Sequence, residues 1–333
     1  MTGMEFIDGL ASRGRYTFTT DEARKALGGS AVAARAVLRR LAAKGETAAP
    51  VRGFHVIVPP EYRRLGCLPA DQFVPQLMTM LGEPYYVGLL SAAQYHGAAH
   101  HRPQELQVLV GKARRPIVCG AVRVRFVMRS DVRRVPTTTT NTPRGPLRIS
   151  TPEATALDLV GYPQHAGGLD VVAAVLGELR EALDARALVK AAATAPVPWA
   201  QRLGYLLELD GTTDLTEPLA AHVNRVANEY APLAPGSRRR GTRITRWRLR
   251  REPLRIEAPV DALDHPRVGL PIALAIVRGS RPPRGATCRT SGAGRSARSE
   301  PSARARKPDV CTSRSARSSR RGRSRRPASS GGA

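Results

Sequence analysis

The sequence predicts an α+β fold, and three observations carry that expectation. From Thr17 to Val58 two short amphipathic segments are followed at once by two extended runs. From Leu106 onward, β-rich runs such as Val122 to Met128 (VRVRFVM) are interleaved with strong helix starts such as Thr151-Pro152-Glu153. From about Ala262 the composition shifts to Arg, Ser, Pro, Gly and Ala, which cannot bury a core.

Element by element, Met4 to Arg13 places Phe6, Ile7 and Leu10 on one side and is expected to be the first helix of a three-helix core. The next helix is expected to open at Thr20, with the Thr20 hydroxyl as cap and Asp21 and Glu22 in the first turn, where the helix dipole favours acids. Gly28-Gly29 ends it. Ser30 then caps a helix in which Ala34, Val37, Leu38 and Leu41 share an apolar stripe, so Val32, Arg35, Ala36 and Arg39 face away. Gly45 stops that helix, and Thr47 to Val51 and Phe54 to Val58 form a hairpin through Arg52-Gly53, where glycine supplies the positive φ of a tight turn.

This is the order of a winged helix-turn-helix. Small residues let a helix sit deep in a major groove, and arginines reach guanine edges or phosphates. The expected DNA-binding residues are therefore Ser30, Val32, Arg35, Ala36, Arg39, Arg40 and Lys44 on the second helix of the pair, and Arg52 at the hairpin tip. The bland alternative is a helical subdomain whose arginines only face solvent.

Past Pro59-Pro60 the sequence predicts a connector at Tyr62-Arg63-Arg64 and an apolar helix from Asp71 to Leu81. Tyr85 to Val110 reads as a buried helix ended by Gly97, a loop through Arg102-Pro103, and a strand from Leu106 to Val110. The strand Val122 to Met128 puts Arg123 and Arg125 on one face. Leu147 to Ser150 leads into a helix capped by Thr151, with Pro152 at its first position. Helices are expected at Pro152 to Val160, Leu169 to Ala182, Leu183 to Ala193 and Pro198 to Leu209. The domain division is 1–60, 61–261 and a low-complexity tail, 262–333.

The chain of 333 residues carries a formal charge of +26, but residues 267–333 hold 17 Lys/Arg against 2 acids, a net +15. The remaining 266 residues are still basic, at +11, which fits phosphate contacts. Cys67, Cys119, Cys288 and Cys311 show no C-x-x-C spacing and no disulfide framework, which suits a reducing cytoplasm. The N-terminus lacks a signal peptide's apolar core and no run approaches ~20 apolar residues, so a cytoplasmic protein is expected.

The basic helix and hairpin, the runs YYVGLLSAAQYHGA (Tyr85 to Ala98), LQVLV and STPEATALDLV (Ser150 to Val160), and the late RITRWRL (Arg243 to Leu249) together resemble the AbiEi family of bacterial antitoxins over about Met1 to Asp261. The resemblance implies an N-terminal winged helix-turn-helix that represses its own operon, and a C-terminal antitoxin domain. It also implies a phage-defence toxin–antitoxin pair of type IV, in which the antitoxin opposes an AbiEii nucleotidyltransferase toxin without a stable complex. It carries over no catalytic residue.

Other chemistry is weaker. His96, His100 and His101 cluster, but Gly97 interrupts the helix and no Cys or clustered carboxylate completes a ligand set, so no metal or other cofactor is expected. Glu105 to Lys112 (ELQVLVGK) could be mistaken for part of a nuclease site; without an upstream Asp on a matching strand it reads as a buried strand. Ser237 to Arg243 (SRRRGTR) is either a solvated turn or a second phosphate contact. The tail is either a disordered cationic arm or an extension made when a frameshift carried translation into the wrong frame of a GC-rich gene. The expected function is a DNA-binding, non-enzymatic antitoxin and autorepressor; the alternative is a winged-helix regulator with a ligand-sensing or oligomerising second domain and no toxin partner.

Overall fold

Thr2 opens the first helix through a reciprocal pair: its hydroxyl accepts from the Glu5 N–H at 3.2 Å, and the Glu5 carboxylate accepts from the Thr2 N–H at 2.9 Å. The helix so started, α1 (Gly3–Ala11), buries Phe6, Ile7 and Leu10. The computed structural model describes residues 1–98, 103–237 and 241–251, which fall in one compact unit. The 262–333 tail, His100 and His101, and residues 238–240 of the basic loop lie outside the described residues.

After α1 come β1 (Thr17–Thr19), α2 (Thr20–Leu27), α3 (Ala31–Ala43) and the hairpin β2 (Thr47–Val51) and β3 (Phe54–Ile57). The cap of α2 is Thr19 rather than Thr20. Thr19 and Glu22 form the same reciprocal box as Thr2 and Glu5, because Glu22 sits three positions after Thr19 and can reach its N–H. The Thr20 hydroxyl instead meets Nε2 of His55 at 2.9 Å. The three strands form an antiparallel sheet in the order β1-β3-β2.

Strand β3 is a wall shared by two cores. Successive side chains of a strand point to opposite faces. Ile57 joins Phe6, Ile7, Leu10, Phe18, Leu38 and Leu41 beneath the three helices, and His55 stacks on Phe18. Phe54, Val56 and Val58 point the other way, into the core of the main body.

That body is built on a six-stranded mixed sheet. A 3-10 turn (Pro60–Leu65) leads to α4 (Ala70–Leu81), then β4 (Tyr85–Val87), α5 (Leu89–Tyr95), β5 (Leu106–Val110), β6 (Ile117–Cys119), β7 (Val122–Met128), β8 (Thr137–Thr142) and β9 (Gly145–Ser150). The strand order is β6-β7-β5-β4-β9-β8, with β5–β7 and β4–β9 parallel and the other pairs antiparallel. Tyr85–Val87, expected to open a buried helix, is instead a strand between β5 and β9. An apolar run buried on both faces has no period to distinguish strand from helix, and Gly88 separates it from the short helix that follows.

One face of the sheet, through Val87, Val108, Val124, Leu147 and Ile149, packs on α4 and on the hairpin. The other face, through Tyr86, Leu109 and Val127, packs on a helical layer: α6 (Pro152–Gly161), α7 (Leu169–Leu179), α8 (Ala185–Ala192), α9 (Val197–Leu209) and α10 (Thr213–Val226). Thr151 caps α6 by accepting from the Ala154 N–H, and Pro152 occupies its first position, as expected. A last small sheet of β10 (Ala231–Pro232), β11 (Thr242–Ile244) and β12 (Leu249–Arg251) closes over α9, where Trp247 is fully buried.

Candidate nucleic-acid interface

Helix α3 is placed by its two ends and its apolar stripe. Gly28 and Gly29 take positive φ, 70° and 77°, so the chain reverses tightly after α2. Ser30 then accepts from the Ala33 N–H at 3.2 Å and starts α3. Ala34, Leu38 and Leu41 are buried and Val37 is half-buried, which turns the opposite face outward.

On that face Val32 is 69% exposed, and Arg35 and Arg39, one turn apart, are both exposed. Arg40 and Lys44 form a second exposed pair at the same spacing, beside the start of α1. Ala36 is half-buried, because it lies at the edge of the apolar stripe next to Val37. Among the described residues none of these cations takes part in an ion pair or hydrogen bond. Neighbouring cations differ: Arg15 holds Glu22 at 2.7 Å and Arg63 holds Glu46 at 2.8 Å. A cation without an acidic partner keeps its full charge for an external anion.

The β2–β3 turn completes this surface. Gly53 takes φ 85°, and its carbonyl accepts from the Thr20 N–H at 3.0 Å, tying the turn to the start of α2. Arg52 stands exposed at the tip. All eight sequence-predicted positions thus lie in the N-terminal module.

The body holds a different polar cluster. Asp158 of α6 is fully buried; it accepts from the Tyr86 hydroxyl at 2.9 Å and pairs with Arg129, which follows β7. Arg129 also donates to the Tyr86 oxygen at 3.2 Å and lies over the Trp199 ring at 4.9 Å, and Tyr162 meets Trp199 edge-on. Burial raises the Asp158 carboxyl to about 6, against the opposing pull of Arg129 and Tyr86. The pair joins sheet to helices and is sealed from solvent, so its chemistry is structural. Its sequence signal was an Asp inside the apolar run ATALDLV.

Residues 86–209 match the model of the AbiEi antitoxin C-terminal domain. The chain carries an AbiEi antitoxin domain. No curated protein matches the chain in sequence. Among solved structures, the RV2827C protein from Mycobacterium tuberculosis is similar at a TM-score of 0.52 and 17% identity, covering 74% of this chain and 90% of that one. At that identity the likeness concerns the fold, and it extends over more of the chain than residues 86–209.

The matched segment, residues 86–209, includes both members of the Arg129–Asp158 pair. Within it, His96 is tied through Nε2 to the Ser150 carbonyl at 2.7 Å, locking α5 to the end of β9. Glu105 is engaged by Arg125. Cys119, also in the matched segment, lies near enough to Cys67 for the two thiols to influence each other's titration, a proximity that no spacing in the sequence announced. Both remain free thiols. Among the described residues no helix is long and apolar enough to cross a membrane.

Proposed function

We propose that this antitoxin is also the transcriptional autorepressor of its operon, with the N-terminal module acting as a winged helix-turn-helix on promoter DNA. In this reading α3 enters the major groove, with Arg35 and Arg39 toward base edges and Arg40 and Lys44 toward phosphates, and Arg52 of the wing reaches the flanking backbone. The observation that carries it is the exposed, unpaired cationic face of α3, set on a three-helix core beside a hairpin with a cationic tip. The AbiEi domain supports the rest: a cytoplasmic type IV system in which this chain opposes a nucleotidyltransferase toxin without a stable complex.

The test is titration of the chain against the DNA upstream of its own gene and against scrambled DNA of the same length. The expected outcome is a preference for the upstream sequence that Arg35→Ala or Arg39→Ala weakens by about 1–3 kcal/mol per bidentate contact. Equal binding to both DNAs by the wild-type chain, or curves that neither substitution moves, would remove α3 from the recognition role.

A further inference from the structure

The exposed turn that joins β6 to β7 lies against the end of the 3-10 turn that precedes α4. The Ala121 N–H donates to the Leu65 carbonyl at 2.7 Å. One residue further along, Gly120 meets Gly66 so closely that a Cβ on Gly120 would overlap the Leu65 oxygen and come within 2.9 Å of the Gly66 Cα. The two segments therefore pass each other in opposite directions, with Ala121 against Leu65 and Gly120 against Gly66. The next opposed pair in that register is Cys119 and Cys67.

Residues directly opposed on antiparallel segments hold their Cα atoms about 4.5–5.5 Å apart, inside the range of about 4.4–6.8 Å that a disulfide spans. The side chains agree with the backbone. Cys67 is buried in the core beneath the hairpin, and Cys119 packs against that same core from the edge strand β6. The two thiols also influence each other's titration, which only neighbours do, and both are free.

Their positions are unequal. Cys119 keeps part of its surface in solvent, and its thiol is held below the ordinary value, first by Cys67 and also by the Ala49 backbone, against the opposing effect of burial. Cys67 is closed off from solvent, and its thiol is pushed up, first by Cys119 and then by burial. Thiolate character and access together select the thiol that an oxidant meets first. A second thiol beside it then resolves the product before further oxidation.

We infer that Cys119 and Cys67 form a hydroperoxide-responsive dithiol, in which Cys119 meets the oxidant and Cys67 closes a reversible disulfide onto it. In the first step the Cys119 sulfur attacks the peroxide oxygen: an S–O bond forms, the O–O bond breaks, and the departing oxygen leaves as water or alcohol with the thiol proton. Cys119 is then a sulfenic acid. In the second step the Cys67 sulfur attacks the Cys119 sulfur, the S–S bond forms, the S–O bond breaks, and hydroxide leaves as water with the Cys67 proton. Two thiols are oxidised and one hydroperoxide is reduced. The site stands whether or not α3 binds DNA.

The test uses the full chain with Cys288→Ser and Cys311→Ser, which leaves this pair as its only thiols. The reduced, folded protein is exposed to hydrogen peroxide, quenched with N-ethylmaleimide and weighed intact and after proteolysis. The expected product is a single chain lighter by two hydrogen atoms, blocked to the maleimide, with the Cys67 and Cys119 peptides joined and released by dithiothreitol. In a further Cys67→Ser variant, Cys119 should stop at a sulfenic acid that dimedone traps and excess peroxide drives to the sulfinic acid. With Cys119→Ser instead, Cys67 should oxidise at least about tenfold more slowly than Cys119 does. The inference fails if the folded chain keeps both thiols, if it gives Cys119 sulfinic acid or intermolecular dimers in place of the internal disulfide, or if the disulfide forms only after urea has unfolded the chain. Because that decision is read on the chain holding both thiols, a serine variant that does not fold leaves it intact.

Discussion

The indole of Trp247 packs directly on the backbone of Gly204 in α9, and a Cβ at that glycine would fall inside the ring. Trp247 is fully buried and its Nε1 donates to Glu208. It is therefore the peg that fastens the last small sheet to the helical layer. Gly204→Ala is expected to destabilise the fold by about 1–3 kcal/mol or more through overpacking, read by urea denaturation. Gly177→Ala in α7 is the control, since a Cβ there meets nothing nearer than 4.0 Å. It should be neutral or stabilising by about 0.5–1 kcal/mol. Equal effects at the two glycines would show that Trp247 does not depend on the missing side chain.

The Arg129–Asp158 pair gives a pH signature. Burial raises the Asp158 carboxyl to about 6 from 3.8, so the folded state binds this proton more tightly than the unfolded chain does. The contribution of Asp158 to stability is thus fully present below about 3.8, declines as pH rises toward 6, and is flat above. The unfolding free energy of wild type minus that of Asp158→Asn isolates it. That difference should fall between pH 4 and pH 6; a rise over the same interval would mean that Arg129 outweighs burial.

If the proposed function holds, promoter repression and protection from the toxin should separate on two parts of the chain. Arg35→Ala with Arg39→Ala is expected to derepress the promoter while cells stay protected from the toxin, because neither side chain supports the core. Leu89→Ala, which truncates a fully buried residue of the AbiEi domain, should cost about 2–5 kcal/mol and abolish protection. Growth and promoter activity are scored separately, with the toxin expressed from an independent promoter. A folded, abundant double arginine variant that no longer protects would show that antitoxicity requires DNA binding.

The two neighbouring thiols should react unequally. The Cys67 thiol is pushed up, first by donating to Cys119 and then by burial, whereas that hydrogen bond lowers Cys119. With Cys288 and Cys311 replaced by serine, iodoacetamide is expected to alkylate Cys119 first, and at lower pH than an ordinary thiol. Mass spectrometry that finds Cys67 modified first would reverse the direction of that hydrogen bond.

What was legible in the sequence was whatever one element determines alone. The stripe of Ala34, Leu38 and Leu41, the cap at Ser30 and the turn at Gly53 are local, and so the exposure of Arg35, Arg39 and Arg52 could be read from spacing. Ala36 shows the resolution of that reading, since a helix stripe has edges that periodicity places only roughly. Tyr85–Val87 was misread because both of its faces are buried. Thr137–Thr142 gave no signal because this edge strand, paired to β9 alone, needs no apolar face. The Cys67–Cys119 and Arg129–Asp158 pairs each join residues far apart in the chain, and no local pattern encodes such meetings.

The double-sided character of β3 has a consequence for the life of the chain in a cell. A protease that clipped near Pro59 would strip Phe54 and Val56 from the face they cover and lay bare the apolar surface of Phe73 and Leu77. Such a fragment is a target for clearance and not a surviving half-protein. Loss of the N-terminal module would then carry the rest of the described fold with it, so under the proposed function proteolytic turnover would remove DNA binding and antitoxin activity in one event.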